Sequence, residues 1–198
     1  MKYLSLFVLL TCFGCGFKTT SLKPGDYADW IRDPENGLLL NKEIGNYTFS
    51  TQFKPKEMVA LLEFGKDADP ESIEFINRLK DLGNLEYFTF KISTKNEEDV
   101  LSCGITDEQE FYERLEYFMD HAQTDFCLIS DDDTLQCKLY HFERTYGLSP
   151  NTNIILGFQR PSTTNSNYCI VYNDRILGIG PIRMEYSIDD LKNIPLLK

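Results

Sequence analysis

The chain has 198 residues, with 31 Asp and Glu against 20 Lys and Arg and a formal net charge of −11 at neutral pH. A surface of that sign repels phosphate backbones and anionic headgroups, which argues against DNA, RNA or direct headgroup binding; an apolar fraction of 42% with 13% aromatics excludes a disordered chain. The length suits one compact domain with its own core, or two small ones.

The first residues follow a recognisable order: a cation at Lys2, an apolar run Leu4-Ser5-Leu6-Phe7-Val8-Leu9-Leu10, then Thr11-Cys12-Phe13-Gly14-Cys15. The run is too short to cross a hydrocarbon core of about 30 Å, and its length and flanks are those of an export signal. This segment resembles the signal peptide of bacterial lipoproteins. The resemblance implies cleavage before Cys15, with Gly14 as the small residue at the cut, and lipid on the Cys15 sulfur. Cys12 and Phe13 depart from the aliphatic and small residues usual at those places, and cleavage before Cys12 instead would leave no Gly or Ala at the junction. An ordinary secretion signal or an uncleaved anchor helix is the alternative. The resemblance further implies a bacterial cell-envelope location, lipid-anchored to a membrane and facing periplasm or exterior. It divides the chain into a signal (1–14), a lipidated tether (15–25) and one globular body (26–198). Loss of residues 1–14 removes one cation, Lys2, and no acid, so the body is one unit more negative than the whole chain. The segment from Pro24 to Trp30, followed by Tyr47-Thr48-Phe49-Ser50, also resembles an uncharacterised lipoprotein family of no known activity.

In the body, Asp26–Arg32 carries Tyr27, Trp30 and Ile31 on one helical face. Partial alternation from Lys42 to Phe53 predicts a strand. Pro55 opens a helix over Lys56–Phe64. Asp69-Pro70-Glu71 is a stronger helix start, predicting a helix to about Leu82 with Ile73, Ile76, Leu79 and Leu82 buried. Residues 85–93 form the clearest strand, with Phe88, Phe90 and Ile92 on one face. Thr106 and Gln109 have capping-box spacing for the longest helix, which ends near Ala122 and buries Phe111, Leu115, Phe118, Met119 and Ala122. Strands follow at 125–130, 134–143, 152–159, 168–172 and 175–180, with a tight turn at 172–175 and a short closing helix at 187–191. Helices interleaved with strands, then strands alone, predict an α+β fold: an antiparallel-rich sheet with helices packed on one side.

Residues that carry chemistry are sparse. His121, at a helix end, and His141, in a strand, are read as structural. No nucleophile elbow, His-Glu-x-x-His or Cys-x-x-Cys pattern is present, so neither a metal nor a cofactor is expected. Gly178-Ile179-Gly180-Pro181 lacks the third glycine of a nucleotide loop and reads as a bend. Asp131-Asp132-Asp133 lacks the alternate spacing, central Gly and terminal Glu of a calcium loop and reads as a solvated turn. Asp133-Thr134-Leu135 resembles the short acceptor of bacterial envelope O-glycosylation, which makes Thr134 a candidate glycan site. A hairpin centred on Asp132 sets Cys127 opposite Cys137 within disulfide reach, with Cys103 and Cys169 then left to pair; buried free thiols are the other reading. Tyr27 and Trp30, near the tether, are a candidate contact patch, and the acidic helix face from Asp107 to Asp120 is a candidate docking surface. The expectation is a lipid-anchored, non-enzymatic envelope accessory or interaction protein acting through a folded acidic surface. Its partners would be the membrane, through the lipid, and an envelope or secreted protein. An envelope hydrolase with paired Asp/Glu, or a small-ligand carrier with an aromatic-lined cavity, is the alternative.

Overall fold

The structure, a computed structural model, describes residues 21–145, 149–163 and 165–198. The expected signal (1–14) and Cys15 lie outside the described residues. In chain order the elements are β1 (Ser21–Leu22), α1 (Pro24–Arg32), β2 (Leu39–Ile44), β3 (Tyr47–Lys54), α2 (Lys56–Phe64), α3 (Ile73–Asp81), β4 (Leu85–Thr94), α4 (Glu108–Glu116), β5 (Phe126–Ser130), β6 (Asp133–Glu143), β7 (Thr152–Gln159), β8 (Tyr168–Asn173), β9 (Pro181–Tyr186), α5 (Ile188–Lys192) and β10 (Leu196–Leu197). Eight strands form one sheet in the order β2-β3-β4-β7-β6-β5-β8-β9, every neighbour antiparallel. The fold is α+β, as expected, and the sheet curls until it is nearly a barrel. At the seam the Lys42 ammonium on β2 donates to the Arg183 carbonyl on β9 at 3.3 Å.

Strand alternation decides what lies inside. Phe49 and Phe53 on β3, Phe88 and Phe90 on β4, Phe158 on β7, Phe126 on β5 and Tyr172 and Tyr186 on the last strands are all buried. Their rings interlock: Phe126 stacks on Tyr172 at 4.6 Å and meets Phe90 edge-on at 5.0 Å. The Tyr186 hydroxyl bonds the Thr51 hydroxyl across the interior at 3.1 Å. Each ring removed from water contributes about 1.5–3 kcal/mol, so this packed interior is the main source of stability.

Several local expectations are corrected. Residues 42–53 form the end of β2, a turn and most of β3, because Gly45 takes a left-handed backbone (φ 59°) that turns the chain between Ile44 and Tyr47. The third helix starts at Ile73, capped by Ser72, whose hydroxyl accepts from Phe75 N–H at 3.3 Å. That later start turns the helix, burying Phe75 and leaving Ile73 73% and Ile76 39% exposed. On α4 the cap falls one residue later than Thr106: Asp107 accepts from Glu110 N–H, and the Glu110 carboxylate accepts from Thr106 N–H, both at 3.0 Å. The helix then gives way to a π turn at Tyr117–His121. This shift buries Tyr117 in place of Met119, which is exposed. Residues 175–180 are a bend in which the Asp174 carboxylate accepts from the N–H groups of Ile176, Leu177 and Ile179. The strand begins afterwards, at Pro181.

The cysteine pairing also fails on register. The turn after β5 has two residues, Asp131 and Asp132, with Ser130 paired to Asp133 and Cys127 to Gln136. Cys137 is therefore one place out of line and faces the opposite side of the sheet from Cys127. Cys103, Cys127, Cys137 and Cys169 are all free thiols, which removes the Cys103–Cys169 pair as well. The end of the expected tether is part of the fold: Ser21-Leu22 pairs in parallel with Leu196-Leu197, and α1 starts at Pro24.

Candidate functional site

The outer wall of β3-β4-β7-β6 carries a regular grid set by strand register. One row across the strands reads Gln52, Thr89, Ile155, His141; the next reads Lys54, Tyr87, Gly157, Leu139. Helices α2 and α3 lie over part of this wall, and a cavity of about 460 Å³ opens between them and the strands. Val59 and Leu62 of α2 line it, with Leu85, Leu139 and Ile155 from the strands. Gly157 gives this wall its close packing: a Cβ there would stand 2.9 Å from Leu139 Cβ.

The polar groups of this groove divide into those with partners and those without. Arg78 donates to Glu63 from both Nε and Nη2, the first bond at 2.7 Å, which holds the Glu63 carboxyl below its usual range. The Tyr87 hydroxyl donates to the Leu82 carbonyl at 2.7 Å. By contrast, the Thr89 hydroxyl is buried without a hydrogen-bond partner among the described residues. Lys54 is half-buried, has no ion-pair or hydrogen-bond partner among the described residues, and burial holds its ammonium below the usual lysine range, opposed by the field of Glu143. Such a groove can take an apolar body and offer donors to a polar end.

A second cavity, about 410 Å³, opens beside β4 and α5 and contains Glu86, Arg160 and Tyr168, with Glu57 on its lining. Glu86 Oε1 accepts from Arg160 Nε at 2.7 Å and from the Tyr168 hydroxyl at 3.4 Å. Burial raises the Glu86 carboxyl above its usual range despite Arg160, and Glu57 adds to the rise.

The residues singled out from sequence are scattered. Tyr27 is 1% exposed and belongs to the core, and Trp30 packs against it, so the two make no contact patch. Thr134 is exposed on β6. Among the acids of the tight turn, Asp131 accepts from the Thr163 hydroxyl and Asp133 from Ser162 N–H, both at 3.2 Å. His121 is exposed, 3.8 Å from Glu116. His141, read as structural, lines the wall groove. Of the acidic α4 face, Asp107, Glu108, Glu113, Glu116 and Asp120 are exposed. The aromatic-lined interior cavity gives way to a filled core, because the rings face one another across the curled sheet. Lys54 and Thr89 carried no sequence signal, since outward strand positions are polar by default.

No family model matches the chain, and no curated protein matches it. Among solved structures it is similar to a protein of unknown function from Burkholderia pseudomallei, at 10% identity over 78% of this chain and 81% of that one, with a TM-score of 0.37.

Proposed function

We propose that this chain is a lipid-anchored, non-enzymatic accessory protein of the bacterial cell envelope that acts by binding through its folded, acidic body. The observation that carries the binding half is the wall groove, an open apolar cavity on the outside of a filled core, with polar groups left unused. The anchoring half is supported by the order of residues 1–15. Cys15 precedes β1 by six positions, so its sulfur would stand within about 20 Å of the first strand even when the link is fully extended. The body would therefore ride close to the bilayer rather than on a long leash. Replacing Cys15 with serine and labelling cells with radioactive palmitate tests the anchor. The expected result is loss of label and release from the membrane fraction; unchanged membrane association, or no label on the parent protein, contradicts it.

A second reading, an envelope hydrolase acting on glycan or peptide, draws on Glu57 and Glu86 sharing one cavity. Product release by the parent protein that is lost in Glu86→Gln would decide for that reading and against a purely binding role.

A further inference from the structure

We propose that the wall groove binds a small amphiphile, an aliphatic chain ending in one carboxylate, with the carboxylate seated on Lys54 and Thr89 and the chain lying over Val59, Leu62, Leu139 and Ile155. The inference deepens the binding reading above and rests on it, but not on the anchor. Lys54 and Thr89 are diagonal neighbours on the outer face, since Lys54 pairs with Tyr87 and Gln52 with Thr89. Within the groove Arg78 is bonded to Glu63 and Tyr87 to the Leu82 carbonyl, while the exposed His141 imidazole stands two strands away from Thr89 on the same row, across Ile155. The Lys54 ammonium, with no ion pair among the described residues and only the field of Glu143 opposing its burial, and the buried Thr89 hydroxyl, with no hydrogen bond, line the same apolar cavity. An unpaired charge in low dielectric is costly, and an anion relieves that cost. A carboxylate has two oxygens for these two donors, whereas a phosphate would leave further charge and acceptors unmet against Glu63 and Asp81, which line the same cavity from α2 and α3. Leu62 is 52% exposed at the rim, an apolar surface that a bound chain would cover.

The test is calorimetric titration of the full chain carrying Cys15→Ser, which removes the lipid and leaves every groove residue intact. The probes are dodecanoate and dodecyltrimethylammonium, each below its micelle concentration, and dodecan-1-ol below its solubility limit. Dodecanoate should saturate one site and bind about tenfold or more tighter than the alcohol or the cation, the range expected of charge-assisted hydrogen bonds. Lys54→Met should abolish that preference, and Lys54→Arg should keep it; Thr89→Val should weaken dodecanoate several-fold and leave the alcohol unchanged. Circular dichroism establishes that each variant is folded. The proposal is overturned if dodecanoate does not saturate, if the three probes bind alike, or if folded Lys54→Met binds dodecanoate as the parent does. Palmitate labelling of the Cys15 parent is read separately, so loss of the groove ligand and loss of the anchor are distinct results.

Discussion

At the scale of single residues, the two cavities put opposite demands on charge. Lys54 is a cation held in a poor place for cations, and Glu86 is an acid held in a poor place for acids. The Glu86 carboxyl sits above its usual range because burial outweighs the Arg160 contact. A carboxyl raised in the folded state binds its proton more tightly there than in the unfolded chain. Its contribution is therefore fully present below the ordinary glutamate value of about 4.3 and is lost as pH rises through the folded value. Glu86→Gln removes this dependence. Urea midpoints measured from pH 4 to pH 7 should show the variant gaining on the parent as pH rises; parallel curves would place Glu86 in a solvated, unperturbed setting. Neither residue was legible beforehand. Lys54 falls one place past the strand expected over Lys42–Phe53, and Glu86 falls at the start of the strand expected over 85–93, on the face of Phe88 and Phe90, where a single acid carries no motif.

At the scale of elements, the local signals worked where burial and propensity agree. Helix α2 spans the residues its proline start implies, and β4 carries Phe88, Phe90 and Ile92 inward as its alternation demands. They failed where two start signals compete within one turn. Asp69-Pro70-Glu71 has better chemistry for a helix start, but Ser72 takes the cap, and Phe75 wins the buried face over Ile73 and Ile76. Register is the other failure: a two-residue turn instead of a three-residue one moves Cys137 to the far face from Cys127. The groove depends on register in the same way, because Gly157 lies between Tyr87 and Leu139. Gly157→Ala would set a Cβ 2.9 Å from Leu139 Cβ and 3.4 Å from Leu85 Cδ1. The expected cost is about 1–3 kcal/mol in urea unfolding, and no loss of stability would mean that this wall is slack.

At the scale of the whole molecule, the fold class was legible and the closure was not. Long antiparallel strands with helices between them in the first half are written in the periodicity. Within the order β4-β7-β6-β5-β8 the β5–β6 hairpin is legible from its acidic turn, but the β4–β7 and β5–β8 pairings are not, because they join strands far apart in the chain. Closure turns the aromatic faces inward and fills them with one another, so concave surface is left outside, where helices α2 and α3 overhang the strands. A ligand-binding role for this chain therefore rests on the outer wall. Methyl-resolved NMR during dodecanoate titration tests this most directly. The account predicts saturable shifts at Val59, Leu62, Leu139 and Ile155, with Leu128, Ile170 and Ile182 of the interior unmoved. Shifts confined to the interior methyls, or none in either set, would contradict it.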